Sequence, residues 1–540
     1  MGGRTRTDRR VGDPAMMDPA ELQILASRLA SVADEMGAVL RRAAYSANIK
    51  ERADCSAALF TADGQLLAQA EHIPVHLGSM PASVAAAIAT GLTAPMVLND
   101  PFAGGTHLND ITMVAPVVID GQLAGWVANR AHHADVGGTA PGSMPPDALT
   151  IDEEGLRLPP TPLDEAVVAR IVAASRTPDE RRGDLDAQRG ANVLGVTRFA
   201  EIIATITDLS AFDEILDYGE RRMRAALSAL PDGSWRFDDV LDSAGPRPEQ
   251  QSPTRIALTL TLADDTATFD FTGTDGQRPG NVNAVEAVTV SAVAFAIRAA
   301  TDPSLPANGG AMRPVRVVAP AATVVAAVPP VAVGAGNVEV SQRVADVCLG
   351  ALAQALPACV GAASQGTMNN VLLGGGDGGD GDGWVHYETI GGGQGGRPWG
   401  DGMSGVHTAM TNTLDTPVEA FERALPVRVR RYGLRRGSGG AGTYSGGEGI
   451  WRELEALAPV TVSLVTERRT SAPWGLAGGA PGACGENWLV PGGDESRARQ
   501  LPDKCTLTLA AGDVLRVLTP GGGGWGPPAA PPGPRAGRQQ

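Results

Sequence analysis

The chain has 540 residues, of which 43% are hydrophobic and 19% charged, so it is long enough for two or three globular lobes. Its formal net charge is −16 and no basic stripe stands out, which argues against nucleic acid as a partner. Five scattered cysteines without a CxxC pair argue against a disulfide framework or a thiolate zinc site, and they favour a reducing, cytoplasmic location.

No segment has the pattern of a secretory leader or of a membrane helix. The basic N-terminal stretch lacks an apolar core. The most apolar stretch, residues 319–334, is interrupted by prolines and is shorter than the roughly 20 apolar residues that span a bilayer. We therefore expect no membrane insertion, and we expect disordered tails at residues 1–17 and 527–540.

The first predicted element is an amphipathic helix from Asp18 to about Ala47. Asp18 is a suitable N-cap, Pro19 occupies the first helical position, and apolar residues follow at every third or fourth position. Two β-hairpins are predicted next, because the Asp-Gly pairs at 63–64 and 120–121 lie between apolar runs and favour tight turns.

The later segments alternate between helical and strand patterns. Residues 166–230 are predicted to be mostly helical, and the alternation around Asp264-Asp265 predicts a pair of strands. Apolar helices are expected at 284–300 and 342–356. The glycine-dense stretch at 374–405 is expected to form ordered backbone turns.

These elements predict an α+β fold with several mixed lobes. The predicted lobes are an N-terminal α/β lobe at 18–235, a central α/β lobe with glycine-rich loops at 236–425, and a β-rich lobe at 426–526. The first of these contains the residues that most resemble a metal site.

Three of the seven histidines, His107, His132 and His133, fall within 27 residues, together with Asp110 and Asp135. Two imidazoles and one carboxylate would leave coordination positions free for water or substrate, which is typical of a catalytic metal site. The alternative is that these side chains are hydrogen-bonded core residues. Spacing alone leaves both interpretations open.

The second hairpin sets the geometry of this cluster. With a two-residue turn at 120–121, Asn109 would face His132 and Asp110 would face Ala131. His107 and Asp110 could share an ion only from a turn, for which the glycines at 104–105 are suitable.

The nucleotide motifs are incomplete in this sequence. Gly391, Gly393 and Gly396 satisfy GxGxxG, but the residues that follow do not predict a helix, so a dinucleotide site is not indicated. GxxxxGK[ST], HExxH and GxSxG motifs are all absent from the sequence. ATP would therefore have to be bound unconventionally or supplied by a partner.

Four further residues are candidates for a cleft, with ordinary core or loop roles as the alternative. His72 is spaced i, i+4 from His76, but Pro74 between them makes a helical chelate improbable. The other candidates flank the glycine-dense stretch, and they are His386, Glu388 and His407.

The motifs, taken in order, resemble the hydantoinase B family, which includes the second subunit of N-methylhydantoinase, the C-terminal half of oxoprolinase and the large subunits of acetone and acetophenone carboxylases. The resemblance covers about residues 46–526. The segments that carry it include SANIKERADCSAALF, HIPVHLGSM, NDPFAGGTHLNDITMVAPV, RAHHADVGGTAPGSMP, EEGLRLPP, GDLDAQRGAN, GNVEVSQRVADV, YETIGGGQGGRP and TPGGGGWG.

This resemblance implies a hydantoinase A-type partner that binds ATP and magnesium and phosphorylates a substrate oxygen, in a hetero-oligomer such as α2β2. It also implies that His107, Asp110 and His132 ligate a divalent metal, for which manganese, zinc and iron are all suitable. The sequence departs from the family pattern at Cys55, at the acidic insert 374–383 and at position 409, where a second histidine is expected.

The leading hypothesis is ring opening of a hydantoin, an oxoproline or a similar lactam after the partner has phosphorylated the amide oxygen. A metal-activated water would attack the ring carbon, and the candidate catalytic residues are His133, Asp135 and His76. The candidate substrate-lining residues are His72, His386, Glu388 and His407.

Three alternatives remain at the level of sequence. The same architecture could carboxylate a phosphorylated ketone enolate. Two histidines and a carboxylate also occur in non-heme iron oxygenases, although their usual HxD or HxE spacing differs from the HxxD found here. In the third alternative the chain is a non-catalytic scaffold with a structural metal.

Overall fold

The computed structural model describes residues 17–70, 73–376 and 383–528. Most of the predicted tails, the centre of the acidic insert and His72 therefore lie outside the described residues. The helices of the described ranges are α1 (Pro19–Ala43), α2 (Ala47–Lys50), α3 (Met80–Ala89), α4 (Glu165–Ala174), α5 (Pro178–Ile203), α6 (Ala211–Ser228), α7 (Glu286–Ala300), α8 (Gly309–Met312), α9 (Ser341–Ala355) and α10 (Val418–Ala424).

The strands of the described ranges form four sheets, and the mixed α and β class is confirmed. The strands are β1 (Cys55–Thr61), β2 (Leu66–Gln69), β3 (Met96–Leu98), β4 (Asp110–Ile119), β5 (Gln122–His132), β6 (Thr161–Pro162), β7 (Gly233–Leu241), β8 (Thr254–Ala263), β9 (Thr266–Asp270), β10 (Val315–Val318), β11 (Asn370–Gly375), β12 (Trp384–Glu388), β13 (Val427–Arg435), β14 (Gly449–Ala456), β15 (Val460–Val465), β16 (Glu486–Val490), β17 (Arg499–Leu501), β18 (Lys504–Leu509) and β19 (Val514–Leu518).

Helix α1 begins where the sequence predicts, but it ends at Ala43, before the predicted end near Ala47. Asp18 caps it by accepting a hydrogen bond from the Ala20 amide, and Pro19 occupies the first turn. The helix stops at Ala43 because the amides of Tyr45 and Ser46 turn away and donate to Asp184 Oδ1 at 2.8 and 3.0 Å. Asp184 lies on α5, so a distant side chain fixes this helix end.

The first sheet has the strand order β2-β1-β5-β4-β3-β6, and helices cover both of its faces. Apolar residues of α1, α5 and α6 pack against one face, and α3 packs against the other. Alternation along β5 therefore divides its side chains between two environments. His132 lies on the α3 side, whereas His133 faces α5.

The hairpin of β4 and β5 corrects the predicted register. Its turn is the predicted two-residue one, with Ile119 paired to Gln122 and positive φ angles at the two turn residues. A β-bulge then leaves Ala124 unpaired, which shifts all later pairs by one residue. Asp110 consequently faces His132, and the predicted pairing of Asn109 with His132 is wrong.

The second sheet, β10-β9-β8-β7, packs against α7 and α9 around the largest apolar core of the described residues. The third sheet, β12-β11-β15-β18, and the fourth, β13-β14-β19-β16-β17, enclose a further core between them. The third sheet joins strands from both sides of residue 425. The division into three lobes remains a prediction.

Four glycine-rich segments, 391–405, 437–449, 475–485 and 519–526, lie against one another and are called the glycine layer below. Their backbones exchange hydrogen bonds, for example from the amide of Gly396 to the carbonyl of Gly523 at 2.8 Å. A Cβ atom added to Gly446 would lie 1.9 Å from the Gly522 carbonyl oxygen. Glycine is required here because neighbouring backbones occupy the side-chain positions.

No helix in the described ranges is long and apolar enough to cross a bilayer.

Candidate metal centre

His107, Asp110 and His132 converge at the open end of the β4–β5 hairpin. His107 Nε2 lies 3.1 Å from Asp110 Oδ1, and His132 Nδ1 lies 3.4 Å from the same oxygen. One ligand atom from each residue lies within 4.8 Å of the others, and all three side chains are buried. We call these three residues the trio.

A turn rather than a strand brings His107 to Asp110. Gly104 has a φ angle of 95°, and a Cβ atom on Gly105 would lie 2.6 Å from the carbonyl oxygen of Asn99. The Asp110 amide then donates to the His107 carbonyl at 3.1 Å, which closes the turn. The local glycine requirement is the one that the sequence indicates at 104–105.

The donor set of the trio fits a divalent cation. His107 Nδ1 lies 3.3 Å from the Gly334 carbonyl oxygen and donates to it, so Nε2 is the nitrogen that faces Asp110 and can ligate a cation when the ring is neutral. Thr106 and Asn337 both donate to Asp110 Oδ2, at 2.7 and 3.0 Å. Asp110 Oδ1, which faces both histidines, has no hydrogen-bond partner among the described residues.

The charges of the trio favour an ionised carboxylate. Burial favours the neutral acid at Asp110, but His107 and the neighbouring histidines outweigh it and hold the pKa of Asp110 well below its usual range. At His107, burial lowers the pKa, but Asp110 raises it above the ordinary value. Burial lowers the pKa of His132, which favours its neutral form.

Further residues, which are not among the predicted site residues, surround the trio. Asn337 belongs to a π-helical turn, Gly336–Val340, at the start of α9. Glu154 accepts from the amides of Gly334 and Val333, and Gly334 in turn holds His107. The only signal for Asn337 and Glu154 in the sequence is the family-like segments GNVEVSQRVADV and EEGLRLPP, because both lie far from the trio along the chain.

Tyr387 stacks on His132, with 4.6 Å between ring centroids and 17° between the ring planes. Its hydroxyl donates to Asn370 Oδ1 at 2.8 Å, and Asn370 Nδ2 donates to Glu339 Oε1 at 2.7 Å. Burial raises the pKa of Tyr387 well above its ordinary value, so its hydroxyl keeps its proton. These contacts fix the orientation of the His132 ring.

Of the predicted catalytic residues, His76 is the one that reaches the trio. Its Nε2 atom lies 3.5 Å from Asp110 Oδ2, and its Nδ1 atom lies 2.9 Å from Ser56 Oγ. It lies at the end of a short 3-10 helix, Pro74–His76, and is buried. Its position is suitable for exchanging a proton with the carboxylate side of the trio.

The structure does not bring His133 and Asp135 into contact with the trio. His133 Nε2 lies 2.9 Å from Gln188 Oε1, on the α5 side of the sheet. Burial, and then the charge of Arg181, lower the pKa of His133 to about 3, so it is neutral. Asp135 accepts hydrogen bonds from the amides of Gly137, Gly142 and Arg176 and from the Arg176 guanidinium.

The predicted substrate-lining residues lie in two places. His386 and Glu388 are buried on β12, where Arg452 donates two hydrogen bonds of 2.8 Å to the Glu388 carboxylate. Burial opposes ionisation of Glu388, but Arg452 and His386 lower its pKa to about 2. His407 lines a cleft of about 430 Å³ whose wall includes the glycine layer.

The family model for hydantoinase B/oxoprolinase matches residues 18–528. The 5-oxoprolinase 1 of Arabidopsis thaliana is 39% identical over 94% of this chain, which spans 42% of that protein. A protein of Pseudomonas sp., named as the putative B component of a D-/L-hydantoinase, is 31% identical, with 96% of this chain and 91% of that protein covered.

Two solved structures are similar to this one. The ATP-dependent caprolactamase of Pseudomonas jessenii has a TM-score of 0.87 and 27% sequence identity, over 95% of this chain and 91% of that chain. Nucleotide-free acetone carboxylase has a TM-score of 0.86 and 19% identity, over 94% of this chain and 76% of that chain. The second likeness shows a shared fold.

Proposed function

Because the chain belongs to the hydantoinase B/oxoprolinase family, as its motifs predicted, we propose that it is the metal-binding subunit of an ATP-dependent cyclic amidase. Its substrate is a hydantoin, an oxoproline or a related lactam, and its partner is a hydantoinase A-type subunit that binds ATP and magnesium. The observation that carries this proposal is the buried trio, in which one nitrogen of each histidine faces Asp110 Oδ1.

The comparisons support the amidase over other reactions. The caprolactamase is by name ATP-dependent, and its sequence identity to this chain is the higher of the two solved structures. The Pseudomonas relative is by name one component of a multi-subunit hydantoinase, which supports a partner subunit. The chain spans about two fifths of the Arabidopsis oxoprolinase, which leaves room for a further portion in that longer protein.

In this proposal the chain's residues hold and orient the reacting groups. His107, Asp110 and His132 hold the divalent metal, manganese, zinc or iron, which supplies Lewis acidity and lowers the pKa of a bound water. Gly334, Thr106 and Asn337 fix the orientation of the first two ligands.

In the same proposal, residues around the trio exchange a proton and hold the neighbouring loop in place. His76 Nε2 exchanges a proton beside Asp110 Oδ2. The contacts of His133 and Asp135 support a role in holding the strand end and the following loop. His407 lines the cleft, and His386 and Glu388 support the strand that carries Tyr387.

The proposal is tested with the chain co-purified with a hydantoinase A-type subunit. We expect one divalent metal per chain by elemental analysis and ring opening of a lactam only when ATP is present. Asp110→Asn is expected to abolish metal binding and to lower the activity at least 100-fold while the chain stays folded. Ring opening without ATP consumption contradicts the proposal.

Two other outcomes identify the alternatives. Incorporation of labelled bicarbonate into a ketone by the complex indicates the carboxylase reaction instead. Unfolding of Asp110→Asn, measured by circular dichroism, indicates a structural metal in a scaffold subunit.

A further inference from the structure

The cleft beside the trio has the size of a small-molecule site. Its volume is about 430 Å³, and its apolar wall includes Phe295, Leu349 and Val360. Pro74 also lines it, and the same 3-10 helix carries His76, whose Nε2 atom lies 3.5 Å from Asp110 Oδ2. The cleft and the trio therefore adjoin at one short helix.

Four cleft-lining residues each have a buried polar atom without a hydrogen-bond partner in the part of the chain that the structure describes. These atoms are Arg397 Nε, His407 Nδ1, Thr408 Oγ1 and Trp474 Nε1. The arginine and tryptophan nitrogens can only donate, and the threonine hydroxyl can donate or accept. Unpaired buried polar atoms are destabilising, so four in one wall indicate that a ligand completes them.

His407 adds a further donor to this wall. Burial, and then the charge of Arg52, lower the pKa of His407 to about 4, so the ring is neutral and carries one N–H group. Its Nε2 atom lies 3.4 Å from the Thr413 hydroxyl, which can donate to it and leave the proton on Nδ1. The wall then offers four donors from four different side chains.

Charge makes this donor set suitable for an anion. Arg397 has no ion pair among the described residues, and its Nη2 group donates to the neutral Asp401 carbonyl. Asp346, the carboxylate that lines the cleft, is neutralised by Arg468 at 2.6 Å. A carbonyl oxygen has two lone pairs, whereas the three terminal oxygens of a phosphoryl group can accept from all four donors.

We propose that this cleft binds a tetrahedral oxyanion, either inorganic phosphate or a phosphoryl group attached to the substrate. The inference rests on the proposed function, because an amide activated by ATP carries such a group and releases it as phosphate. It assigns Arg397, His407, Thr408 and Trp474 to the phosphoryl oxygens and the apolar wall to the organic part of the substrate.

The test measures binding of inorganic phosphate to the co-purified complex without nucleotide, by calorimetry and by phosphorus NMR. We expect saturable binding at one site per chain and at least tenfold weaker binding by Arg397→Gln. Trp474→Phe and Thr408→Val are each expected to weaken it threefold to tenfold. Acetate is expected to compete at least tenfold more weakly than phosphate.

Matched controls remove the same groups elsewhere. Arg316→Gln removes an exposed guanidinium, and Trp488→Phe removes an indole that donates to Glu486 at 2.9 Å. Both are expected to keep phosphate affinity within twofold of the parent chain. Thermal unfolding of each variant separates a lost contact from a lost fold.

Three results overturn the inference: no saturable phosphate binding, equal losses in Arg397→Gln and Arg316→Gln, or acetate binding as tight as phosphate. A complex that opens lactams with ATP but fails these assays keeps the proposed function and loses the oxyanion site. A complex that binds phosphate in the cleft but opens no ring keeps the site and loses the proposed function.

Discussion

Each ligand of the trio is oriented by a residue that lies far from that ligand in the sequence. Gly334 holds His107, Asn337 holds Asp110, and the Tyr387 ring lies against His132. Such outer contacts typically change metal affinity by about 10- to 100-fold. The trio therefore depends on residues more than 200 positions away from it in sequence.

Two substitutions of Tyr387 separate the effect of its ring stacking on metal affinity from the effect of its hydrogen bond. Tyr387→Phe keeps the ring on His132 and loses the bond to Asn370, so metal affinity is expected to change less than threefold. Tyr387→Leu removes the ring, and we expect about 10- to 100-fold weaker metal binding. Competition with a fluorescent chelator measures both values, and equal affinities for the two variants would show that stacking has no role.

A buried carboxyl near Tyr387 predicts how stability varies with pH. Burial, and then the charge of Glu467, raise the pKa of Glu339 to about 8, although Lys504 opposes the shift. Folded chains thus bind more protons than unfolded chains between about pH 4.5 and 8, so this group lowers stability as pH rises through that window.

Glu339→Gln removes this titration. The difference in unfolding free energy between the variant and the parent chain is expected to move in favour of the variant by about 1.4 kcal/mol per pH unit from pH 5 to 8. Urea unfolding at four pH values gives this slope. A slope of zero would place the Glu339 pKa at its ordinary value.

At the scale of elements, the sequence predicts features that depend on neighbouring residues, but it does not predict those that depend on distant residues. The Asp18 cap and the turn at Asp120 depend on neighbouring residues, so the sequence predicted both. The unpaired Ala124 has no sequence marker, and the predicted register was therefore one residue off. The predicted grouping of His107, Asp110 and His132 does not depend on this register, because the shifted pairing places Asp110 opposite His132.

The register beyond the bulge predicts the effect of a single insertion. Inserting one alanine after Ala128, between the bulge and His132, shifts the later pairs by one residue, which places Asn109 instead of Asp110 opposite His132. We expect loss of the bound metal by elemental analysis. The matched control inserts one glycine after Gly121, at the exposed turn, where the bulge is left intact and the metal is expected to remain.

At the scale of the whole molecule, the glycine layer joins segments that composition alone could not arrange. A glycine count predicts turns, but the pairing partners differ by more than a hundred residues, as for Gly396 and Gly523. No side-chain pattern identifies which glycines meet, because the contacts are between backbones. For the same reason, the sequence does not predict the cleft, whose wall includes residues of this layer.

Two alanine substitutions test this layer. A Cβ atom on Gly522 would lie 2.1 Å from the Gln394 carbonyl oxygen, so Gly522→Ala is expected to destabilise the chain by about 1–3 kcal/mol. Gly190, in α5, has nothing within 4 Å of its Cβ position, and Gly190→Ala is expected to stabilise by about 0.5–1 kcal/mol. Chemical unfolding measures both, and similar values would contradict the close packing.

The glycine layer also sets an order of events during synthesis. The cleft wall at Ala363 and Gly396 is hydrogen-bonded to Gly523, which leaves the ribosome 127 residues after Gly396. At about 5–20 residues per second, that delay is roughly 6 to 25 s. Throughout this interval the apolar side of the cleft, including Phe295, is without its covering wall. We therefore expect a nascent chain of this protein to be a chaperone client until Gly523 has left the ribosome.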